Sequence, residues 1–120
     1  MGLLVGLHRN KENEVEREVA FWHKQPFIHY WFTKNIDYEE YGKNECSKKV
    51  LEKLLDSCNK CLETDDVNEW KKYFEYVFYY PDNKSEEKFR HYIEWTKEQI
   101  EKVLKETDWE TETIRYFASY

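Results

Sequence analysis

The sequence predicts an α+β fold, mainly α-helical, with three to four helices packed on a small antiparallel sheet formed by the N- and C-terminal strands. Two segments in the middle of the chain carry long helical stripes, while the first apolar stretch has no helical period. The C-terminal "TIRYFASY" alternates its side chains like a strand, and the N-terminal strand is its natural partner. No repeat or low-complexity tract divides the 120 residues, so we expect a single domain over 1–120.

The N-terminal part of the chain combines a strand with polar connections. The apolar stretch "LLVGLH" at 3–8 predicts a short strand, and the polar run "RNKENEVEREV" after it predicts a solvated connection. A second polar segment, "NIDYEEYGKNEC", predicts a loop.

Between these two connections lies the aromatic segment "AFWHKQPFIHYWF", residues 20–32. From Trp22 onward its spacing predicts a helix that ends near Asn35. Proline is acceptable in a first helical turn but breaks an interior one, so this helix either starts close to Gln25 or is kinked at Pro26. The residues assigned to the core are Ile28, Trp31 and Phe32.

The clearest helix begins after Ser47, which is a good N-cap residue, and continues to Leu62. Residues 67–78 keep a similar period, but "YFEYVFYY" is also rich in strand formers, so helix or strand stays open for 67–80. After the turn "PDNK", Ser85 can cap a long helix that reaches Lys105 or Glu106. Its predicted core stripe is Phe89, Tyr92, Ile93, Thr96, Ile100, Val103 and Leu104.

Charge and composition exclude several classes of protein. The net charge of −6 disfavours direct nucleic-acid binding, because such surfaces gain most of their affinity from clustered lysine and arginine. No apolar run is long enough for a bilayer, and "MGLLVGLH" lacks the features of a signal peptide, so we expect a cytoplasmic protein without a membrane partner. Catalytic motifs such as G-x-S-x-G and H-E-x-x-H are absent, which favours a non-enzymatic protein.

Cysteine usage predicts reduced thiols. Cys58 and Cys61 form a Cys-x-x-Cys pair on the predicted helix, and Cys46 lies nearby in the sequence. Zinc would need four ligands in a tetrahedron, whereas this helix face also carries leucines. We therefore expect buried thiols, no disulfide and no cofactor, with these three cysteines as weak metal candidates.

Five tryptophans and ten tyrosines are too many for a small core, so some rings should lie at the surface, where they can serve an interface. On a helix, Lys24 and Trp22 come about five and seven residues before His29, and together they suit an anionic or planar ligand. In the alternative interpretation His29 bonds a neighbouring loop and the rings fill the core. The binding candidates are Trp22, His23, Lys24, His29, Trp31, Arg115 and Tyr116.

The order of these blocks resembles a family of small phage and prophage proteins without an assigned activity. That family carries the motif Tyr-Trp-Arg-Lys-Ala-Asn-x-Ile-His-Lys-Trp-Phe. In this sequence Pro26 stands for the asparagine, His23 for the arginine and Tyr30 for the second lysine, so a polar site built on those residues would be altered here. The matching positions are Trp22, Lys24, Ile28, His29, Trp31 and Phe32.

The resemblance implies action against host defences, either by occluding a protein or by sequestering a nucleotide-derived signal. Acidic surface and exposed rings favour the first, because complementary charge speeds encounter and aromatic anchors hold a complex. The leading hypothesis is therefore a counter-defence inhibitor, of the anti-CRISPR or anti-signalling kind, that blocks a bacterial immune protein in the host cytoplasm. The alternatives are a sponge for a nucleotide-like immune signal and a structural homo-oligomer.

Overall fold

The computed structural model describes residues 3–23, 25–74 and 85–119, and of Ser85 and Glu86 it describes the backbone alone. Within these described residues, four helices pack with a four-stranded antiparallel sheet, which confirms the predicted α+β class. The elements in chain order are β1 (Leu4–Lys11), β2 (Arg17–His23), α1 (Pro26–Asn35), β3 (Glu45–Cys46), α2 (Lys48–Leu62), α3 (Val67–Trp70), α4 (Ser85–Glu106) and β4 (Glu112–Ser119).

The sheet has the strand order β2-β1-β4-β3, so the terminal strands pair at its centre as the sequence predicts. Their register runs without a break from Leu4 opposite Ser119 to Lys11 opposite Glu112. The polar run after residue 8 is not the solvated connection that we expected. It completes β1, turns at Asn13, where φ is 67°, and begins β2. Polar side chains suit this hairpin because one side of the sheet faces solvent.

Helix α1 starts at Pro26 with Gln25 in the N-cap position, which confirms the first of the two alternatives for this proline. Proline fits there because the first helical N–H groups have no partner within the helix. Helix α2 has the predicted N-cap, with the Val50 N–H donating to Ser47 Oγ at 3.2 Å. Helix α4 ends at Glu106 as predicted, and the side chain of its expected cap, Ser85, lies outside the described residues.

The carboxyl end of α2 is closed by side chains from later elements. Trp70 in α3 donates its indole N–H to the carbonyls of Cys61 and Thr64 at 2.8 and 2.9 Å. Arg90 in α4 donates to Leu62 O at 2.9 Å and to Asp65 at 3.0 Å. These bonds satisfy carbonyls that the helix leaves without partners. After α3 the chain leaves the helical conformation, and the helix-or-strand question for 75–80 falls outside the described residues.

The core lies between the helices and the side of the sheet that carries Val5, Leu7, Trp22, Ile114 and Tyr116. The predicted core residues of α1, Ile28, Trp31 and Phe32, are buried at 0, 5 and 0% exposure. In the part of the chain that the structure describes, no helix is long and apolar enough to cross a bilayer.

Candidate functional site

The structure separates the residues that the sequence groups as binding candidates. Trp22 and Tyr116 point from neighbouring parts of the sheet into the core, and both are almost fully buried. His23 follows Trp22 on β2 and is exposed, because successive side chains of a strand point to opposite sides. Lys24 lies outside the described residues. Trp31 is buried and lines a pocket between helices, apart from the sheet.

His29 is a core histidine, so of the two interpretations that the sequence left open, a ligand site or a packed histidine, the structure shows the packed one. It is 8% exposed, and its Nδ1 lies 2.7 Å from the hydroxyl of Tyr116 on β4. The ring also meets Tyr38 edge to face, with centroids 5.4 Å apart. Burial lowers the pKa of His29 from its ordinary value, because the charged imidazolium loses solvation. The alternative of a packed, hydrogen-bonded histidine therefore describes this residue, with a strand tyrosine in place of a loop.

The three cysteines are buried free thiols. Burial raises the pKa of Cys46 and Cys61 to about 12 and that of Cys58 further. Thiolate is the form that attacks disulfides and binds metals, so these groups are poor nucleophiles at neutral pH. Among the described residues no three His, Cys, Asp or Glu side chains come close enough together to hold a metal ion.

The side of the sheet that faces away from the helices, here called the outer face, carries an unusual apolar centre. Leu4 and Phe21 project from β1 and β2 and are 36 and 44% exposed. Trp95 of α4 reaches around the edge of the sheet and meets Phe21 edge to face, with ring centroids 5.9 Å apart and 38% of the tryptophan exposed. Exposed aromatic rings that lie together are typical of interaction sites, whereas single ones are common on any surface.

Phe117 of β4 is the fourth residue of this apolar centre, and its ring lies over Gly6 of β1. Gly6 lies directly opposite on β1, and a Cβ atom there would come within 2.6 Å of the Phe117 ring. The ring of His8 stacks at a tilt against Phe117, with centroids 4.1 Å apart. The missing side chain at Gly6 thus lets the phenylalanine lie flat across the sheet, which makes the apolar centre preorganised.

A charged rim borders the apolar centre on the side of the β1–β2 hairpin. His8 lies 3.4 Å from Glu16 and 3.9 Å from Glu18, and Arg115 lies 3.9 Å from Glu16. The Nε atom of Arg115 is buried without a hydrogen-bond partner. Nearer the turn of the hairpin, Glu12 and Glu14 are exposed, as are Lys11 and Arg17.

The free edge of β2 is closed at the position of Phe21. Its backbone N–H donates to Gln99 Oε1 at 3.0 Å, and its carbonyl accepts from Gln99 Nε2 at 3.0 Å and from the Trp95 indole at 3.3 Å. A glutamine amide thereby occupies the groups that another strand would pair with. A partner at this site is therefore expected to pack on the outer face and not to extend the sheet.

The sequence indicated that some aromatic rings are exposed, but it did not identify the ones on the outer face. The excess of aromatic residues predicted exposed rings, yet Leu4, Phe21, Trp95 and Phe117 were not among the candidates. Of the predicted residues that the structure describes, His23 and Arg115 lie on the outer face. The outer face could have been predicted from the pairing of the two apolar-rich strands at the chain ends. Alternate residues of paired strands lie on opposite sides of the sheet, so both of its sides carry apolar residues.

Comparison of the chain with protein-family models, with curated proteins and with solved structures gave no match.

Proposed function

We propose that this chain is a non-enzymatic binding protein that captures a protein partner on its outer face. The observation that carries the proposal is the apolar centre of the outer face, in which Leu4, Phe21 and Trp95 are exposed and Phe117 is partly buried, on a sheet whose other side is packed against the helices. An aromatic centre inside a charged rim is the usual anatomy of a protein interface. A small-molecule site would instead need a concavity, and the outer face is a sheet surface.

The negative charge of the chain indicates which kind of protein surface would bind it. The chain carries a net charge of −6, and Glu16 and Glu18 lie in the charged rim beside the apolar centre. A basic protein surface with an apolar patch is therefore complementary, and long-range attraction would speed its association. Two copies of this chain would bring like charges together, which disfavours the homo-oligomer alternative.

The resemblance to phage proteins extends this proposal to a biological role. In that role the partner is a host protein of bacterial immunity, and the chain acts in the bacterial cytoplasm as a counter-defence inhibitor. The support for this step is the motif resemblance in residues 21–32, which is independent of the outer face.

The test is affinity capture from a bacterial lysate followed by zero-length carbodiimide crosslinking. This reagent joins carboxylates to amines in direct contact, so a basic partner on the outer face should crosslink through Glu16 or Glu18. Phe21→Ser and Trp95→Ser should each weaken capture at least roughly tenfold, because aromatic anchors carry much of the binding energy. Tyr41→Ser is the matched control, since Tyr41 is 98% exposed and lies on the loop before β3.

Two results would contradict the proposal. One is capture that is equally sensitive to Tyr41→Ser, which would place the interface elsewhere. The other is a stable dimer without a partner in native mass spectrometry that Phe21→Ser dissociates, which would establish the homo-oligomer.

A further inference from the structure

The charged rim of the outer face contains an arginine that its neighbours pair only loosely. Arg115 lies on β4, directly opposite His8 on β1 and Glu45 on β3. Its Nη1 atom is 3.9 Å from Oε1 of Glu16, the one ion pair that it forms with the residues that the structure describes. This separation exceeds the ~2.7–3.2 Å of a hydrogen bond from nitrogen to oxygen, so Glu16 offsets the charge without accepting a hydrogen bond.

The guanidinium group of Arg115 can be reached from one end. Its Nε atom is buried and has no hydrogen-bond partner within the described part of the chain, while the side chain as a whole is 30% exposed. A buried donor without an acceptor is costly and calls for an explanation. Because Nε is enclosed, a ligand can approach only the terminal nitrogens, whose parallel N–H groups match the two oxygens of a carboxylate.

Glu16 is also shared between two groups. Its Oε2 lies 3.4 Å from His8 Nδ1, while its Oε1 is the atom near Arg115. A second carboxylate, that of Glu18, lies 3.9 Å from the other nitrogen of His8. A lysine or arginine of a basic partner that pairs with Glu16 would compete with Arg115 for this carboxylate. Arg115 would then need another acceptor, and the partner is the surface that can supply it.

The surrounding charges select the class of that acceptor. Glu16 and Glu18 lie on one side of Arg115, and the exposed Glu45 is paired with it in register on the other side. These carboxylates would repel a multiply charged phosphate more strongly than a carboxylate, which carries a single charge. Phe117 follows two residues later on the same side of β4, so its Cα atom is about 7 Å from that of Arg115. One short partner segment can therefore contact both side chains.

We propose that Arg115 is a specificity-determining residue of the outer face and binds an aspartate or glutamate side chain of the protein partner, next to the apolar group that packs on Phe117. This inference rests on the proposed function, in which a basic protein surface binds the outer face. It adds that this surface carries an acidic residue over β4, while its lysines or arginines face Glu16 and Glu18.

The test uses nuclear magnetic resonance of the native chain with two dipeptide probes, acetyl-Phe-Asp-amide and acetyl-Phe-Asn-amide. They differ only in that the first has a carboxylate where the second has a carboxamide. The Asp probe should shift the resonances of the Arg115 Nε–H and the Trp95 indole N–H. It should also bind at least about threefold more tightly than the Asn probe, because its hydrogen bonds to Arg115 are charge-assisted. Net charge predicts the opposite order, since a chain with a charge of −6 repels an anion.

A pair of variants assigns the preference to one side chain. Arg115→Gln should abolish the preference for the Asp probe, while the Trp95 resonance still responds to both probes. Arg17→Gln is the matched control and should keep the preference, because it removes an equal charge from an exposed position of β2 that points away from the outer face. Circular dichroism establishes that both variants are folded, and the comparison of the two probes on the native chain decides the result if Arg115→Gln is not.

Three results would overturn the role of Arg115 while leaving the proposed function in place. They are equal affinity of the two probes for the native chain, an unchanged preference in folded Arg115→Gln, and tighter binding of the corresponding phosphoserine dipeptide. Failure of the proposed function gives a different result. In that case neither probe shifts the Trp95 indole resonance at millimolar concentration, and the role of Arg115 falls with it.

Discussion

At the residue scale, His29 illustrates how a side chain with functional chemistry becomes part of a core. Its Nδ1 lies 2.7 Å from the hydroxyl of Tyr116, and aromatic rings surround it. The imidazole gains a hydrogen bond and loses contact with water, so its neutral form is the one that the fold stabilises.

This burial predicts a pH dependence of stability. The pKa of His29 in the folded chain is below its ordinary value, so at acidic pH the unfolded chain binds a proton that the folded chain does not. The contribution of His29 is full above about pH 6.5, the ordinary histidine pKa, and is lost as the pH falls towards the folded-state pKa. Urea unfolding between about pH 5 and pH 8 should show this loss in the native chain and a smaller loss in His29→Gln.

The exposed His23 provides the control for that measurement. His23→Gln removes an imidazole from an exposed position of β2 and leaves the buried His29 in place, so the loss of stability that His29 causes should persist in this variant. An unchanged profile in His29→Gln would mean that other groups cause the acid sensitivity.

Gly6 is the second residue whose environment makes a prediction. A Cβ atom at this position would lie 2.6 Å from Ala20 O and 2.6 Å from the Phe117 ring, and a backbone oxygen in a paired strand cannot move far. Gly6→Ala should therefore destabilise the chain by about 1–3 kcal/mol, the usual cost of overpacking. Thermal unfolding measures the effect, and the control is Ser119→Ala, at an exposed position of β4. An unaltered midpoint in Gly6→Ala would show that Phe117 does not lie over β1.

At the scale of elements, β2 and α4 are joined by a buried hydrogen bond. The Trp22 indole donates to Thr96 Oγ1 at 2.8 Å, and that hydroxyl donates to Tyr92 O at 2.7 Å. Both side chains are essentially inaccessible to solvent. This hydrogen bond determines which turn of α4 lies beside β2. Gln99, one turn further along α4, can then reach the edge of β2.

Removing the Thr96 hydroxyl should show how much this hydrogen bond contributes to the free energy of unfolding. Thr96→Val keeps the volume but leaves the Trp22 N–H buried without a partner, which should cost about 1–3 kcal/mol of unfolding free energy. A double-mutant cycle with Trp22→Phe measures the coupling in denaturant unfolding. Because phenylalanine has no N–H, Thr96→Val should be much less costly in that background. Equal costs in both backgrounds would contradict the bond.

At the scale of the whole molecule, the sheet separates two surfaces of different charge. The outer face has an apolar centre and a charged rim, whereas the helical layer carries a pocket lined by Lys34, Lys53, Lys71 and Lys72 among others. Trp31 lines this pocket and packs edge to face against Phe32, so its wall is continuous with the core.

The thiols report on the integrity of this shared core. Cys46, Cys58 and Cys61 are buried, with pKa values raised by desolvation. In the folded protein they should react very slowly with a thiol reagent at about pH 8, and all three should react on denaturation. Spectrophotometric titration measures this. Rapid reaction of any thiol in the native protein would show that the core opens locally. Because the three cysteines are free thiols, a reductant should not change the midpoint of thermal unfolding.

Local periodicity was enough to predict much of the fold. The stripe of α2 with its Ser47 cap, the end of α4 at Glu106 and the alternation in β4 were all predicted, because each depends on residues close together in the chain. Pro26 at the start of α1 followed from the geometry of proline alone. Strand β2 was missed for two reasons: its first residues are polar like a loop, and its end, from Trp22, was assigned to the helical stripe of the aromatic segment.

By itself the sequence determined the fold class, the pairing of the chain ends, the main helices and the excess of aromatic rings. Only the tertiary structure decided which rings are exposed, because Trp22 and His23, or Tyr116 and Phe117, are neighbours in the chain but lie on opposite sides of the sheet. It also decided that Lys34, Lys53 and Lys71 line one pocket. These lysines belong to three segments, and their proximity depends on how the helices pack, which no local pattern encodes.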